Sequence, residues 1–326
     1  MYLEDVTIEG FKSFSEPTQM SFQPGIGVIM GNNGVGKSNI LDAIVWALGE
    51  NALSKLRLLE KEELFFAGNK VYPPAKQVRV ELVFKEVPEK DAPAFKLVRA
   101  IGRNGQETYQ VQGAKVGLAA YKKRLKTEGL VDALKTIIRQ EQINDLLSLL
   151  PSDRLRWISG LLGEKGLESL PEELTGQTDP LFQRYLHYLF PEGEGRLRIV
   201  KGKKGQGLEV EVAVKGKNIR RAHQLSGGEK SITSLALKLA LFDRLRSPFY
   251  LLDEVEPALD YLNHKSMQAL LKELAVKKQL IMVTHLRSTI ELANTLHGVR
   301  SRPDGSSYMK FYFVMNERLL RLYKCC

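Results

Sequence analysis

Hydrophobic and polar positions alternate along Leu3 to Ile8 as in a half-buried strand, and Met20-Ser21-Phe22 continues that pattern. Ile26 to Met30 is instead a short unbroken apolar run, which fits a strand buried on both faces. Ile40, Ile44, Ala47 and Leu48 then recur at helical spacing. Val78 to Phe84, Phe95 to Ala100 and Thr108 to Val111 return to period two, with Gly102-Arg103-Asn104-Gly105 as a turn between two of them. The first third is thus predicted to be β-rich around one strong helix.

From Leu118 to Leu150 the pattern becomes helical, with a strand interruption at Ile137-Ile138, and Pro151-Ser152-Asp153 starts another helix that runs through Leu162. Residues 163–180 lack sustained periodicity and are rich in Gly, Pro, Thr and Glu, so they read as a junction between an N-terminal lobe, 1–162, and a C-terminal lobe, 181–326. A short helix, Phe182 to Phe190, precedes β segments at Arg196–Val200, Leu208–Val214 and Lys217–Ile219. After Leu225 comes helix (Ser231 to Leu245), strand, helix, strand and helix, then terminal strands at Val299 and Tyr308–Val314. That alternation predicts an α/β fold with a largely parallel sheet covered by helices. No internal repeat and no sustained heptad run occurs.

Composition changes this picture in two ways. With 326 residues and a net charge of +10, the chain has room for one large or two smaller domains and favours an acidic partner, nucleic acid ahead of a membrane. Lys122-Lys123-Arg124, Lys201 to Lys204 and Lys215 to Arg221 are its basic clusters, suited to sequence-independent phosphate contacts. Met1 to Asp5 carries acid where a secretory signal needs base, and no apolar stretch reaches the length of a membrane span. The two cysteines, Cys325 and Cys326, are adjacent and terminal, so a reduced, cytoplasmic protein is expected.

The sharpest chemistry lies at Gly31-Asn32-Asn33-Gly34-Val35-Gly36-Lys37-Ser38, a G-x-x-x-x-G-K-[ST] loop between the Ile26–Met30 strand and the helix beginning near Asn39. Glycines let backbone N–H groups turn inward around an anion, and the helix adds its positive end. Lys37 supplies a charge for the β/γ-phosphates, and Ser38 a hydroxyl for Mg²⁺. A nucleoside triphosphate is the expected ligand. Phe249-Tyr250-Leu251-Leu252-Asp253-Glu254 supplies the complementary carboxylates: Asp253 for the metal, Glu254 to deprotonate the attacking water. Leu225-Ser226-Gly227-Gly228-Glu229-Lys230 heads a second helix and forms another potential anion cradle, better explained by a nucleotide bound to a second subunit.

These motifs, with Ala258-Leu259-Asp260 and Thr284-His285 after them, resemble an ATP-binding-cassette ATPase. Gly10-Phe11-Lys12-Ser13-Phe14, Lys37-Ser38-Asn39-Ile40-Leu41-Asp42-Ala43-Ile44 and Leu252-Asp253-Glu254-Val255-Glu256 narrow the resemblance to the head of bacterial SMC (structural maintenance of chromosomes) proteins. It implies an ABC-type head, a P-loop mixed sheet with helices plus an antiparallel β subdomain. It further implies Gln140 as the Q-loop residue at Mg²⁺ and the γ-phosphate, His285 as the switch histidine, and Arg57 as an arginine that reaches the phosphates. Lys12, Ser13 and residues Asn32 to Asn39 would line the nucleotide, and Ser226, Gly227, Gly228 and Asp260 would meet it from the partner head. ATP-dependent head dimerisation, DNA and a kleisin subunit are the implied partners, at the nucleoid. Pro257 stands where the family usually has Ala. The family's coiled-coil arms and hinge are absent between the halves, with residues 163–180 in their place. Two other readings share part of the pattern: a RecF, RecN or zinc-hook repair ATPase, and a transporter nucleotide-binding subunit.

Overall fold

Strict alternation of buried and half-buried residues from Gln77 to Lys85 places Val78, Val80, Leu82 and Phe84 on one face, and this strand centres a six-stranded antiparallel sheet. The order across it is Thr18–Ser21, Tyr2–Glu9, Gln77–Lys85, Phe95–Gly102, Glu107–Val111 and Ala114–Val116. The computed structural model of the chain describes residues 1–86, 94–163, 170–191, 193–202, 205–214, 218–255 and 264–315.

Two units emerge, and both halves of the chain contribute to each. The first takes 1–137, 247–253 and 274–326; the second takes 138–246 and 254–273. In the first unit a mixed sheet sets Ser307–Val314, Thr295–Ser301, Ile26–Met30, Gln279–Val283 and Phe249–Asp253 side by side. Among these five strands the pairings are parallel except that of Ser307–Val314 with Thr295–Ser301, and Ile137–Arg139 adds a sixth strand beside Phe249–Asp253. Gln279–Val283 and Phe249–Asp253 are buried at every position, as strands covered on both faces must be. Helix Lys37–Ala47 packs against strands of both sheets and is buried nearly all round. Burying each large side chain, such as Ile40, Ile44 and Trp46, contributes on the order of 1.5–3 kcal/mol. Its C-terminal carbonyls are met by long-range donors: Arg99 Nη1 to Trp46 O at 2.7 Å and Tyr121 Oη to Ala47 O at 2.7 Å. The Arg99 guanidinium also lies 4.5 Å from the centroid of the Trp46 ring.

In the second unit, helix Asp179–Leu189 packs against helix Gly227–Phe242 and against the hairpin Gly193–Gly202/Gly205–Val214. Helix Pro151–Leu162 lies on the same hairpin. A Cβ at Gly207 would stand 2.7 Å from the carbonyl carbon of Pro151, so only glycine permits this approach.

Several expected elements shift. The Leu118–Leu150 helical stretch divides into Leu118–Thr127, Leu130–Ala133 and Asp145–Ser148, with strand Ile137–Arg139 between, because Gly129 turns the chain at φ 71°. The described part of the 163–180 junction is helical. Leu170, Leu174 and Thr178 are fully buried at four-residue spacing, with a π-helical turn over Leu174–Thr178. Of the strand expected at Lys217–Ile219, Lys217 lies outside the described residues; Asn218 and Ile219 are not in a strand, Ile219 is exposed, and pairing falls on Arg220–Arg221. The helix placed at Ser231–Leu245 spans Gly227–Phe242.

Candidate nucleotide site

Strand Ile26–Met30 delivers the chain directly into Gly31–Gly36, and helix Lys37–Ala47 carries it away. Gly34 and Gly36 adopt φ 79° and 97°, values L-residues rarely take. A Cβ on Gly36 would lie 2.4 Å from Ser307 Oγ and 2.6 Å from Ser13 Oγ, whereas one on Gly34 would meet open space. Gly36 is the N-cap, and no side chain caps it. The first N–H groups of the helix thus look into the concavity of the loop. Lys37 is buried and folds back over the loop, donating to Gly31 O at 2.9 Å and Asn32 O at 3.0 Å. Val35 is buried beneath the loop, and its carbonyl accepts from Ser307 Oγ at 2.7 Å; Asn33 and Gly34 are exposed on its outer side.

Asp253 is the last residue of its strand, and the parallel strand Gln279–Val283 separates it from Ile26–Met30. Parallel strands end together, so the carboxylate arrives at the phosphate-loop end of the sheet. Ser38 Oγ donates to Asp253 Oδ1 at 2.9 Å. A hydroxyl and a carboxylate converging at the mouth of an uncapped, glycine-lined loop are hard-oxygen donors of the kind Mg²⁺ takes beside a phosphate. The donor set therefore fits Mg²⁺ with a nucleotide. His285 stands exposed, two residues beyond Val283, which pairs with Ile29.

Beside the loop, Lys12, Ser13, Asn39, Arg57, Phe65 and Arg103 line an open pocket of about 670 Å³. Asn39 Nδ2 donates to Ser13 Oγ at 2.8 Å, and Ser307 Oγ reaches the same oxygen at 2.7 Å. Lys12 and Arg57 converge on Asp42, which is fully buried in helix Lys37–Ala47. Four non-glycine residues take positive φ among those described: Lys12, Arg57, Gln112 and Glu254. Three of the four are candidate site residues, and strained backbone concentrates where function over-determines it. Glu254 groups with the second unit but is joined to Asp253 by one peptide bond.

The second unit carries the other candidates. Ser226 is the N-cap of helix Gly227–Phe242, with Gly227 and Gly228 its first two residues. Glu229 Oε2 accepts from Ser226 N at 2.9 Å and from Ser226 Oγ at 2.8 Å, and Arg220 grips the same carboxylate through both Nη atoms. Burial pushes the Glu229 carboxyl up, but the bonds from Arg220 and Ser226 outweigh it and hold the pKa at about 2. Gln140 opens a 3₁₀ turn, Gln140–Gln142. One face of helix Gly227–Phe242 fixes the end of that turn and the residues after it. Lys238 Nζ donates to Gln142 O, Ser234 Oγ to Ile143 O, and Ser231 Oγ bonds the Asn144 side chain. Burial pushes the Lys238 ammonium down to about 8, with Asp145 pulling it back up. Arg154 is buried and completes the clamp by donating to the carbonyls of Leu146, Leu147, Leu149 and Leu208. Asp260 and Pro257 lie outside the described residues.

Asp42, Ser307, Lys238 and Arg154 were not among the residues that the sequence marks for the site. Only Asp42 carried a signal, a lone acid inside an apolar helix.

A strand, glycine loop and helix, with a carboxylate ending a nearby parallel strand, define a P-loop nucleotide-binding α/β domain. The chain belongs to the RecF/RecN/SMC N-terminal domain family, whose model matches residues 2–308. It is 44% identical over 119 residues to the chromosome partition protein Smc of Mycobacterium tuberculosis, covering 36% of this chain and 10% of that protein. Against Smc of Mycobacterium leprae it is 32% identical over 166 residues, covering 50% and 14%. The chain thus matches about a tenth to a seventh of the length of these relatives. Its fold is that of SMC heads. It superposes with a TM-score of 0.86 on an Smc head crystallised with the C-winged helix domain of ScpA, at 28% identity over 98% of this chain and 99% of that one. The SMC head domain of Thermotoga maritima gives 0.71 at 32% identity, over 97% and 100%.

Proposed function

We propose that the chain is an ATP-binding and ATP-hydrolysing head that pairs with a second copy around nucleotide, in the service of chromosome condensation and segregation. The observation that carries the reading is Ser38 Oγ on Asp253 Oδ1 at the mouth of an uncapped phosphate loop. The backbone N–H groups of Asn33 to Ser38, with Lys37, hold the β- and γ-phosphates, while Asn32 and Val35 shape the loop. Lys12, Ser13, Asn39 and Arg57 flank the nucleotide in the adjoining pocket. Ser38 and Asp253, with Gln140, would hold Mg²⁺, which would neutralise charge at the phosphates. Glu254 takes the proton of the attacking water, and His285 and Gln140 orient the γ-phosphate end. Ser226, Gly227 and Gly228 of the second copy close on the γ-phosphate, and Asp260 contributes from the same copy.

Family membership and the likeness to Smc heads support a chromosomal role over a transporter subunit. A kleisin is the implied protein partner, since one similar head was crystallised with the C-winged helix domain of ScpA. The outermost strand, Ser307–Val314, leaves Tyr312, Phe313 and Val314 exposed and offers a surface for it. For DNA, Lys122, Lys123 and Lys126 stand exposed on helix Leu118–Thr127. Arg124 on that helix pairs with Glu128. Among the described residues no helix is long and apolar enough to cross a membrane. The clusters at 201–204 and 215–221 lie partly outside the described residues.

Lys37→Ala tests the reading. Calorimetric titration should show ATP affinity reduced by at least about a hundredfold, some 2.7 kcal/mol. Unchanged affinity would remove the phosphate loop from the mechanism.

A further inference from the structure

Asp42 sits at the centre of an unusual charge arrangement. Its carboxylate is fully buried on helix Lys37–Ala47, and a single oxygen, Oδ2, accepts from Lys12 Nζ at 2.6 Å, Arg57 Nη2 at 2.6 Å and Arg57 Nε at 3.1 Å. Lys12 Nζ also donates to Leu56 O at 2.5 Å, the residue just before Arg57. Lys12 and Arg57 together carry one more charge than the carboxylate they share. Both cations line the pocket beside the phosphate loop, where the Arg57 side chain is 33% exposed.

A purely structural ion pair does not need this geometry. Lys12 and Arg57 both hold left-handed backbone, φ 46° and 55°, at residue types for which that conformation is strained. A buried ion pair is also no better for stability than apolar residues of the same volume. What the arrangement does achieve is orientation. Asp42 takes the Nε/Nη2 edge of the guanidinium, which leaves the Nη1 edge on the side away from Asp42 in a residue that lines the pocket. Asp42 lies five residues beyond Lys37 on the same helix, roughly 7–8 Å along its axis. One rigid element therefore carries both the phosphate loop and the anchor for the two flanking cations.

We infer that Asp42 is a positioning residue, which fixes Arg57 and Lys12 as one unit and presents them to the anionic part of a nucleotide held by the phosphate loop. This rests on the nucleotide-site reading above. Glu62 and Glu63, which also line the pocket, are exposed and do not compete with Asp42 on its buried side. Glu63 is also occupied at the backbone N–H of Leu59, 2.7 Å away.

The test is ATP binding by the whole chain, read by titration for wild type, Asp42→Asn, Arg57→Met and the double variant, with thermal unfolding recorded alongside. Asp42→Asn keeps the shape and removes the charge. It should weaken ATP tenfold or more, and the same substitution in the Arg57→Met background should cost clearly less. A merely structural Asp42 gives equal losses in both backgrounds, or wild-type affinity with only a lowered unfolding temperature, and either result overturns the inference. Should Asp42→Asn fail to fold, Lys12→Met, Arg57→Met and their combination decide with Asp42 intact. A shared anchor predicts that the double variant loses less than the two single losses combined; full additivity overturns it. Wild type that binds no ATP overturns the nucleotide-site reading itself, and this inference with it.

Discussion

Two helices of this protein begin after glycine-rich turns, and they end up electrostatically opposite. Helix Lys37–Ala47 starts from Gly36 with no side-chain cap, and the N–H of Asn39 bonds back to Gly36 O at 3.1 Å within the loop itself. Helix Gly227–Phe242 starts from Ser226, whose N–H and hydroxyl are both bonded by Glu229, itself clasped by Arg220. The first terminus is built to wait for an anion. The second already holds one, in the form of its own carboxylate. The contrast teaches that a glycine turn before a helix is not one device: the side chains of the first helical turn decide whether the dipole is open or already occupied. It also agrees with the proposal that the second turn serves a partner's nucleotide: a terminus whose cap carries a carboxylate has little hold on free phosphate.

Closing the open terminus should have the largest effect. Gly36→Ala places a Cβ within 2.6 Å of both Ser13 Oγ and Ser307 Oγ and forces L-stereochemistry on φ 97°. ATP affinity should fall by on the order of a hundredfold or more, measured by titration, with the fold intact by circular dichroism. Retained affinity would mean that loop shape is not what binds. Ser226→Arg probes the other terminus. It should leave ATP binding within about twofold of wild type, while ATP-dependent self-association weakens beyond detection in sedimentation. An equal loss of nucleotide binding would erase the distinction between the two turns.

The smallest effect should come from Glu229→Gln, which opens the capped terminus without changing its size. Removing the charged cap should cost about 1 kcal/mol of stability at neutral pH. The depressed carboxyl sets the sign with pH. Between the unfolded value near 4.5 and the folded value of about 2, the unfolded chain binds the proton first. The contribution of Glu229 is therefore complete above pH 4.5 and is lost as pH falls toward 2. Chemical unfolding of wild type and Glu229→Gln at about pH 7 and about pH 3 should show the gap narrow at the lower pH. A constant gap would mean the carboxylate is not the cap.

The open terminus was legible because its chemistry is local. Eight consecutive residues, a strand before and a helix after, specify the loop with little help from elsewhere. The apolar runs Ile26–Met30 and Phe249–Asp253 were likewise readable, since strands buried on both faces need little but apolar residues. The hidden features depend on distant chain. Ser307 reaches Ser13 and Val35 from the last described strand, and Arg99 caps the helix ending at Ala47 from the antiparallel sheet. No spacing rule links such pairs. The helicity of the 170–178 segment was hidden for another reason: Pro171 and Gly176 mask a buried face formed by Leu170, Leu174 and Thr178. Glu229 was visible within its motif, but its role as a cap required Arg220 beside it.

Glu254 comes directly after Asp253, the proposed metal carboxylate, and holds a strained backbone at φ 49°. Glu254→Gln removes the proposed base while keeping the residue's shape, and sedimentation velocity with ATP reads the consequence most directly. ATP turnover should fall by about a hundredfold or more, with nucleotide still bound and a stable dimer that dissolves when ATP is withdrawn. A Glu254→Gln protein that binds ATP yet sediments as a monomer at every concentration would contradict the nucleotide-bridged pairing of heads.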